Sequence, residues 1–413
     1  MNKLISSVQG KLPHTEKDIS IDADGKNLII TGMNGCGKTV FLKALLNTIN
    51  LNVQPDHIHT KSQLLKNIKS YETVLERDNL SRVDKDNYER ALEQQKHQLS
   101  NLFSSGDINI EWYDHDAVLE RSYQKNFLVS FFEATRQYSK QGNLNQPSSL
   151  SSIRTNAQNQ QLSQDFSTSF ESYLVAFFEA GYMASMMRND PSEKQKVDNW
   201  LDSIAGDLRY LFEDNSLKLK YNEQERCFYI EQKDKKPYTF STLSSGYSSI
   251  LKIYTDLLMK VELREMSPKE LTGIVIIDEV DAHLHVSLQK KILSFLDRSY
   301  PNVQFIISTH SPFVLQSVDN AVIYDLSKLE QLEDLSLYSY DAITKGLLGV
   351  STNSDELFQI TSELSSLITN IEENQIRVNE LIEKLSPVEG ELDSKSKVIL
   401  LMAKQSIEDL EGK

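Results

Sequence analysis

Short apolar runs alternate with longer stretches of helical period along this chain. Leu28, Ile29 and Ile30 form the uninterrupted run expected of a strand buried on both faces. Asp22-Ala23-Asp24-Gly25 supplies a turn ahead of it, and Phe41 to Leu46 opens a helical pattern behind it. From about Ser62 to Phe103 the pattern is helical and charged. Leu65, Ile68, Tyr71 and Leu75 share one face, and Tyr88, Ala91, Leu92, Gln95 and Leu99 share another. The polar break from Asp78 to Asp86 lets these two segments fold back as a short antiparallel hairpin. Ile108 to Trp112 alternates as a strand does, and Asn126 to Phe132 is a second strand candidate.

Residues 139–168 are rich in Gln, Asn and Ser and predict a mobile loop. Helices are expected over 169–188 and 192–213, parted by Asp190-Pro191. A hairpin of Leu217 to Tyr221 and Cys227 to Gln232 follows. Alternation of strand and helix then resumes to about residue 350. A polar helical tail occupies roughly 354–411, interrupted near 387–390. Within it Leu357, Ile360, Leu364, Leu367 and Ile371 recur at helical spacing, as a docking stripe or as packing on the head.

Chemistry enters at two places on this pattern. Gly32-Met33-Asn34-Gly35-Cys36-Gly37-Lys38-Thr39 fits G-x-x-x-x-G-K-[ST], with an apolar strand before it and a helix after it. Glycines let backbone N–H groups and the positive helix end face an anion. Lys38 is placed to bridge the β- and γ-phosphates of a nucleotide, and Thr39 to offer its hydroxyl to Mg²⁺. Cys36 reads as a small loop residue.

The second place is the run Gly273 to Ile277, which ends in Asp278-Glu279. Carboxylates at the end of a buried parallel strand open into the crevice where such sheets bind ligands. Asp278 is the expected metal-side acid, and Glu279 the residue that orients and polarises attacking water.

Composition narrows the setting. The 413 residues carry 44 basic and 59 acidic side chains, a net charge of −15, which disfavours unguided binding to DNA or anionic membranes without excluding a local basic groove. Two cysteines, Cys36 and Cys227, are too few for a disulfide framework and suggest a reducing compartment. The start, MNKLISSVQGKL, lacks the apolar core of a signal peptide, and the most apolar stretch, Leu174 to Met187, is too short to span a bilayer. A cytoplasmic protein is expected. His283 and His285, like His57 and His59, lack partners at structural-zinc spacing, so no zinc site is expected.

Two further stretches resemble a known family. Leu243-Ser244-Ser245-Gly246-Tyr247, just before a helical pattern, resembles the ABC signature LSGGQ, with Ser245 in place of a glycine and Tyr247 in place of glutamine. Phe305 to Ser308 is another buried strand, followed by Thr309-His310-Ser311-Pro312. Together with the P-loop and Asp278-Glu279, these resemble the ABC-type heads of SMC, RecF and OLD proteins. Asp278 to His285 is similar to the DE…HLHP stretch of small SMC-like "AAA" ATPases, although Val286 stands where proline is usual.

The resemblance implies an α/β P-loop ABC-type ATPase head, with a mainly helical insertion between P-loop and signature and a helical C-terminal tail. Residues 1–60 and 236–350 would form the head, 61–235 the insertion and 351–413 the tail. It implies ATP and Mg²⁺ as cofactors. The nucleotide would meet Asn34, Gly35, Cys36, Gly37, Lys38 and Thr39 of one protomer. Ser244, Ser245 and Gly246 would come from the other in a head-to-head sandwich, with Asp281 at the seam. His310 becomes a switch residue beside the γ-phosphate. Gln137, after the strand ending near Ala134, is a candidate for the glutamine loop.

Many members of this group are ATPase subunits of bacterial anti-phage systems, including PARIS, Septu and retron-linked systems. In these the ATPase oligomerises and controls a separate nuclease. No TOPRIM-like acidic cluster or HNH-like histidine group is evident beyond His310, so a TOPRIM or HNH effector is expected in trans. The alternative is a RecF-like or SMC-like repair or chromosome-maintenance ATPase that clamps DNA.

Overall fold

Six strands lie side by side in the order β11-β10-β3-β9-β8-β5, and this order decides which loops can meet. In the computed structural model, residues 4–76, 81–102, 108–139, 149–158, 160–317, 320–332, 335, 338–347 and 354–411 are described. Eleven strands run along the chain. They are β1 (Ile5–Lys11), β2 (Asp18–Asp22), β3 (Asn27–Thr31), β4 (Ile108–Trp112), β5 (Phe127–Phe132) and β6 (Lys218–Asn222), followed by β7 (Cys227–Glu231), β8 (Thr272–Ile277), β9 (Val303–Ser308), β10 (Ala321–Asp325) and β11 (Glu330–Leu332). Between β10 and β5 all pairings are parallel, and β11 closes the edge antiparallel. Every residue of β3, β8 and β9 is buried, which accounts for their unbroken apolar runs.

A three-stranded antiparallel sheet, β2-β1-β4, and the hairpin β6-β7 complete the β structure. Helix α1 (Lys38–Asn52) packs with both larger sheets in one core. Phe41, Leu42, Leu45 and Ile49 are each 0% exposed. At about 1.5–3 kcal/mol per buried side chain, this seating far outweighs the missing side-chain cap at its start.

The insertion contains the helical hairpin α2 (His57–Leu75) and α3 (Arg82–Leu102), then α4 (His115–Tyr123), α5 (Leu150–Gln158), α6 (Phe170–Arg188) and α7 (Pro191–Phe212). Residues 139–168 depart from the expected mobile loop. Residues 140–148 lie outside the described residues. The remainder forms α5 and a segment whose Leu162 and Phe166 are each 3% exposed. Two isolated apolar anchors suffice to pin a polar stretch when the cavity that receives them belongs to distant elements, here the helix after Ser244. That helix is α8 (Ser245–Glu262). It is followed by α9 (Val286–Gln289), α10 (Ile292–Ser299), α11 (Pro312–Gln316) and α12 (Tyr340–Gly346).

The chain divides into two compact units, 1–340 and 341–413. The second holds α13 (Asp355–Ile368), α14 (Ile371–Leu385) and α15 (Ser394–Glu411), with a 3-10 turn over Ser386–Glu391. Ile360 and Leu364 are buried against Val378, Leu381, Leu385, Leu400, Ala403 and Ile407, and Leu357, Leu367 and Ile371 pack beside them. The stripe expected to dock a partner or pack on the head is therefore the tail's own core. Three amphipathic helices satisfy one another locally. Among the described residues, no helix is long and apolar enough to cross a membrane.

Candidate functional site

The order β3-β9-β8-β5 places four strand ends in a row, and each carries a polar loop. After β3, Gly35 and Gly37 adopt positive φ angles of 79° and 97°, and Gly37 caps α1. A side chain at either would be strained by the backbone even though the space is open. Among the described residues, the backbone N–H groups of Gly35, Gly37, Lys38 and Thr39 have no backbone partner. This is the donor-rich face a phosphate requires. The Lys38 ammonium, 7% exposed, donates to the carbonyls of Gly32 and Met33, each at 3.2 Å. Asn34 is exposed and Cys36 half-buried.

Asp278 follows β8 and is 3% exposed. Its Oδ2 accepts from the Thr39 hydroxyl at 2.7 Å, and its Oδ1 from the Ser308 hydroxyl at 2.5 Å. A hydroxyl beside a carboxylate is an all-oxygen donor set, suited to a hard cation such as Mg²⁺ that takes its remaining ligands from phosphate and water. Those two residues fit that ion. Glu279 is half-buried with φ 45°, an uncommon value for a residue with a side chain, costing of order 1 kcal/mol. Its N–H donates to Ser308 Oγ at 2.7 Å, and the N–H of Val280 donates to the Ser308 carbonyl at 3.0 Å.

His310 stands at the end of β9. Burial first, and then the Lys38 charge, push its imidazole below the ordinary 6.5, against Asp281, Glu279 and Asp278. The P-loop lysine, the acids and this histidine thus lie within one electrostatic neighbourhood. Asp281 accepts from the Thr309 hydroxyl at 2.5 Å, which links the loop after β8 to the loop after β9.

The Ser244 stretch lies at the N-terminus of α8. Ser244 is the N-cap residue, exposed, with no side-chain cap bond; Ser245 is also exposed. A Cβ on Gly246 would sit 2.5 Å from the carbonyl oxygen of His283, so that position is packed against the loop after β8. Tyr247, where the family pattern has glutamine, stacks on Phe212 at 4.2 Å. His285 caps α9, its Nδ1 accepting from the Ser287 N–H at 3.4 Å.

Sequence reading passed over Arg136. It follows β5 and is 6% exposed. Its Nη1 donates to the carbonyls of Glu133 at 3.0 Å and Asp278 at 2.8 Å, and its Nη2 to those of Glu279 at 3.1 Å and Val280 at 3.0 Å. Burial pushes the guanidinium down to about 10, against Asp281, Asp278 and Glu279, so it stays charged at neutral pH. Gln137, the glutamine-loop candidate, is exposed, whereas Arg136 and Tyr138 on either side of it are buried. The available signal was a long cation just past the end of a buried strand. Also passed over was an ion pair within α8: Lys260 meets Asp256 and donates to Ser130 Oγ of β5 at 3.0 Å.

Residues 28–316 match the family described as "AAA domain, putative AbiEii toxin, Type IV TA system". The chain is 40% identical over 85 residues to a retron Ec83 probable ATPase of Escherichia coli, covering 20% of this chain and 16% of that protein. It is 24% identical over 340 residues to the Septu protein PtuA of Bacillus thuringiensis, covering 76% of this chain and 72% of that protein. The matches to the retron Ec83 and retron Vc95 probable ATPases span only 16% and 18% of those relatives' length. An SMC head domain from Thermotoga maritima is similar with a TM-score of 0.33 and 11% identity, over 79% of this chain and 94% of that one.

Proposed function

The chain belongs to the AAA-domain family described as putative AbiEii toxin, Type IV TA system, and from that premise we propose that it is the ATP-hydrolysing subunit of an anti-phage complex. In this reading residues 1–60 and 236–350 form an ABC-type head, 61–235 its insertion and 351–413 its tail. Similarity to a retron probable ATPase and to Septu PtuA supports the defence setting. The observation that carries the chemistry is the 2.7 Å contact between Thr39 of the P-loop and Asp278 of the acidic strand.

Lys38 leaves the Gly32 and Met33 carbonyls for the β- and γ-phosphates, while the N–H groups of the P-loop take up phosphate oxygens. Thr39 and Asp278 hold Mg²⁺, which when bound neutralises charge on the transferring phosphoryl group. Glu279 orients the attacking water and accepts its proton. His310, neutral at pH 7, donates toward the γ-phosphate. Ser244, Ser245 and Gly246 of a second head close the site, with Asp281 at the seam. Two heads thereby make two composite sites, and the closed dimer holds or controls a nuclease of TOPRIM or HNH type supplied in trans.

Mixing tests the composite arrangement. Lys38→Ala and Ser244→Arg variants should each be inactive alone. In a mixed dimer one site carries both lesions and the other none, so mixing should restore phosphate release. No recovery, with both variants folded and able to dimerise, would overturn the shared site. Glu279→Gln should bind ATP, accumulate closed dimers and fail to turn over. Co-purification of the Glu279→Gln dimer with the neighbouring gene's product tests the effector.

A further inference from the structure

The turn that carries Glu279 is held from two sides. Ser308 supplies its hydroxyl to the Glu279 N–H and its carbonyl to the Val280 N–H. Arg136 takes the three successive carbonyls of Asp278, Glu279 and Val280. A backbone with φ 45° at Glu279 persists only where its surroundings over-determine it, and here the surroundings are this one guanidinium and one serine. Both ends of the Arg136 side chain's reach are fixed. Its Nη1 also bonds the Glu133 carbonyl, which ties the arginine to its own loop.

That loop does not stop at Arg136. Two residues on, the N–H of Tyr138 donates to Ser248 Oγ at 2.9 Å, in a buried contact. Ser248 is in the first turn of α8, where its own N–H donates to the carbonyl of Ser244 at 2.8 Å. The Tyr138 hydroxyl is anchored in turn on Glu171 of α6 at 3.1 Å. A continuous chain of hydrogen bonds therefore runs from Ser244 through Ser248, Tyr138 and Arg136 to the carbonyl of Glu279.

We propose that Arg136 is a positioning residue for hydrolysis, which holds the Glu279 carboxylate in place and ties it to the first turn of α8 through Tyr138 and Ser248. This rests on the reading of Glu279 as the residue that orients water. Ser244 of a given chain serves the neighbour's nucleotide, whereas Glu279 of the same chain serves its own. The strap thus connects the two composite sites of a dimer: engagement of Ser244 at one site sets the geometry of Glu279 at the other. Arg136 itself touches only protein carbonyls. Its removal should act on turnover and leave nucleotide affinity alone, because the P-loop contacts are untouched. A misplacement of about 1 Å at a reacting group can cost about 10²-fold in rate, which sets the scale expected.

The experiment uses the full chain, with ATP hydrolysis followed by phosphate release and binding followed with a fluorescent ATP analogue. Arg136→Met should lower kcat about 10²-fold with the dissociation constant within about threefold of wild type, and Arg136→Lys should recover part of the loss. In a Glu279→Gln background, Arg136→Met should add nothing, since both changes act through one carboxylate. Ser248→Ala leaves Arg136 in place and should lower kcat and flatten the dependence of rate on ATP concentration to a hyperbola. It also covers the case in which Arg136→Met fails to fold. Full turnover in Arg136→Met or Arg136→Lys with Glu279→Gln inactive overturns the strap alone, as does a multiplied loss in the double variant. Full turnover in Glu279→Gln overturns both the strap and the role given to Glu279.

Discussion

The Thr39 hydroxyl donates to Asp278 Oδ2 at 2.7 Å, although the two residues are 239 positions apart in the chain. Adjacent parallel strands cause this meeting: β3 pairs with β9 and β9 with β8, so the loops after them share one edge of the sheet. The insertion lies between them in sequence and not in the sheet, apart from β5 at its end.

Thr39 and Asp278 supply the only protein oxygens assigned to the metal, so removing one should be read in the Mg²⁺ dependence. Thr39→Ala is expected to raise the Mg²⁺ concentration needed for half-maximal turnover by about 10–100-fold, with the thermal midpoint little changed. Titration of Mg²⁺ at saturating ATP checks this, and an unaltered requirement would count against the pair.

Gly246→Ala puts a methyl group 2.5 Å from the backbone oxygen of His283, which has no side-chain freedom with which to yield. The start of α8 must shift. The expected result is a folded chain, judged by circular dichroism, whose turnover falls about 10²-fold as Ser244 and Ser245 lose their alignment. Retained activity would mean that the loop after β8 can move without cost.

Lys260 and Asp256 are 1% and 2% exposed and paired. Burial lowers the lysine's pKa and raises the aspartate's, each offset by the other's charge. Lys260→Met strands an acid in the core and should cost about 3–5 kcal/mol of stability in denaturant unfolding. Lys260→Met with Asp256→Leu should recover part of that loss. It will not recover all, because Asp256 also accepts from the Phe166 N–H at 2.7 Å.

His115 gives a pH signature. Its Nε2 meets the Asn52 carbonyl at 2.9 Å and its ring stacks on Trp112. Burial, aided by Lys61 and His57, pushes its pKa below the ordinary 6.5, against the Asn52 carbonyl and Asp116. The native state therefore binds fewer protons here than the unfolded chain. The contribution is fully present above about pH 6.5 and is lost as pH falls through the depressed value. Thermal midpoints measured from pH 7.5 down to pH 5 should fall, and His115→Gln should flatten that slope.

The sequence by itself determined the elements and the site chemistry that depend on neighbours in the chain. Leu28 to Ile30, Gly273 to Ile277 and Phe305 to Ser308 read as buried strands because both their faces are covered. The P-loop reads from its glycines, and Asp278-Glu279 from its place at a strand end. Periodicity likewise marked the α2–α3 hairpin and the tail helices. Only the tertiary structure decided what required the order of strands. It selected Arg136 over its exposed neighbour Gln137, seated Phe166 under α8, and folded the tail stripe into its own bundle. The physical reason is that a guanidinium on carbonyls 142 to 144 positions away, or an apolar anchor in a cavity built by other segments, leaves no periodic trace in the local sequence. Its partner is backbone or a remote surface, and only the assembled sheet brings them together.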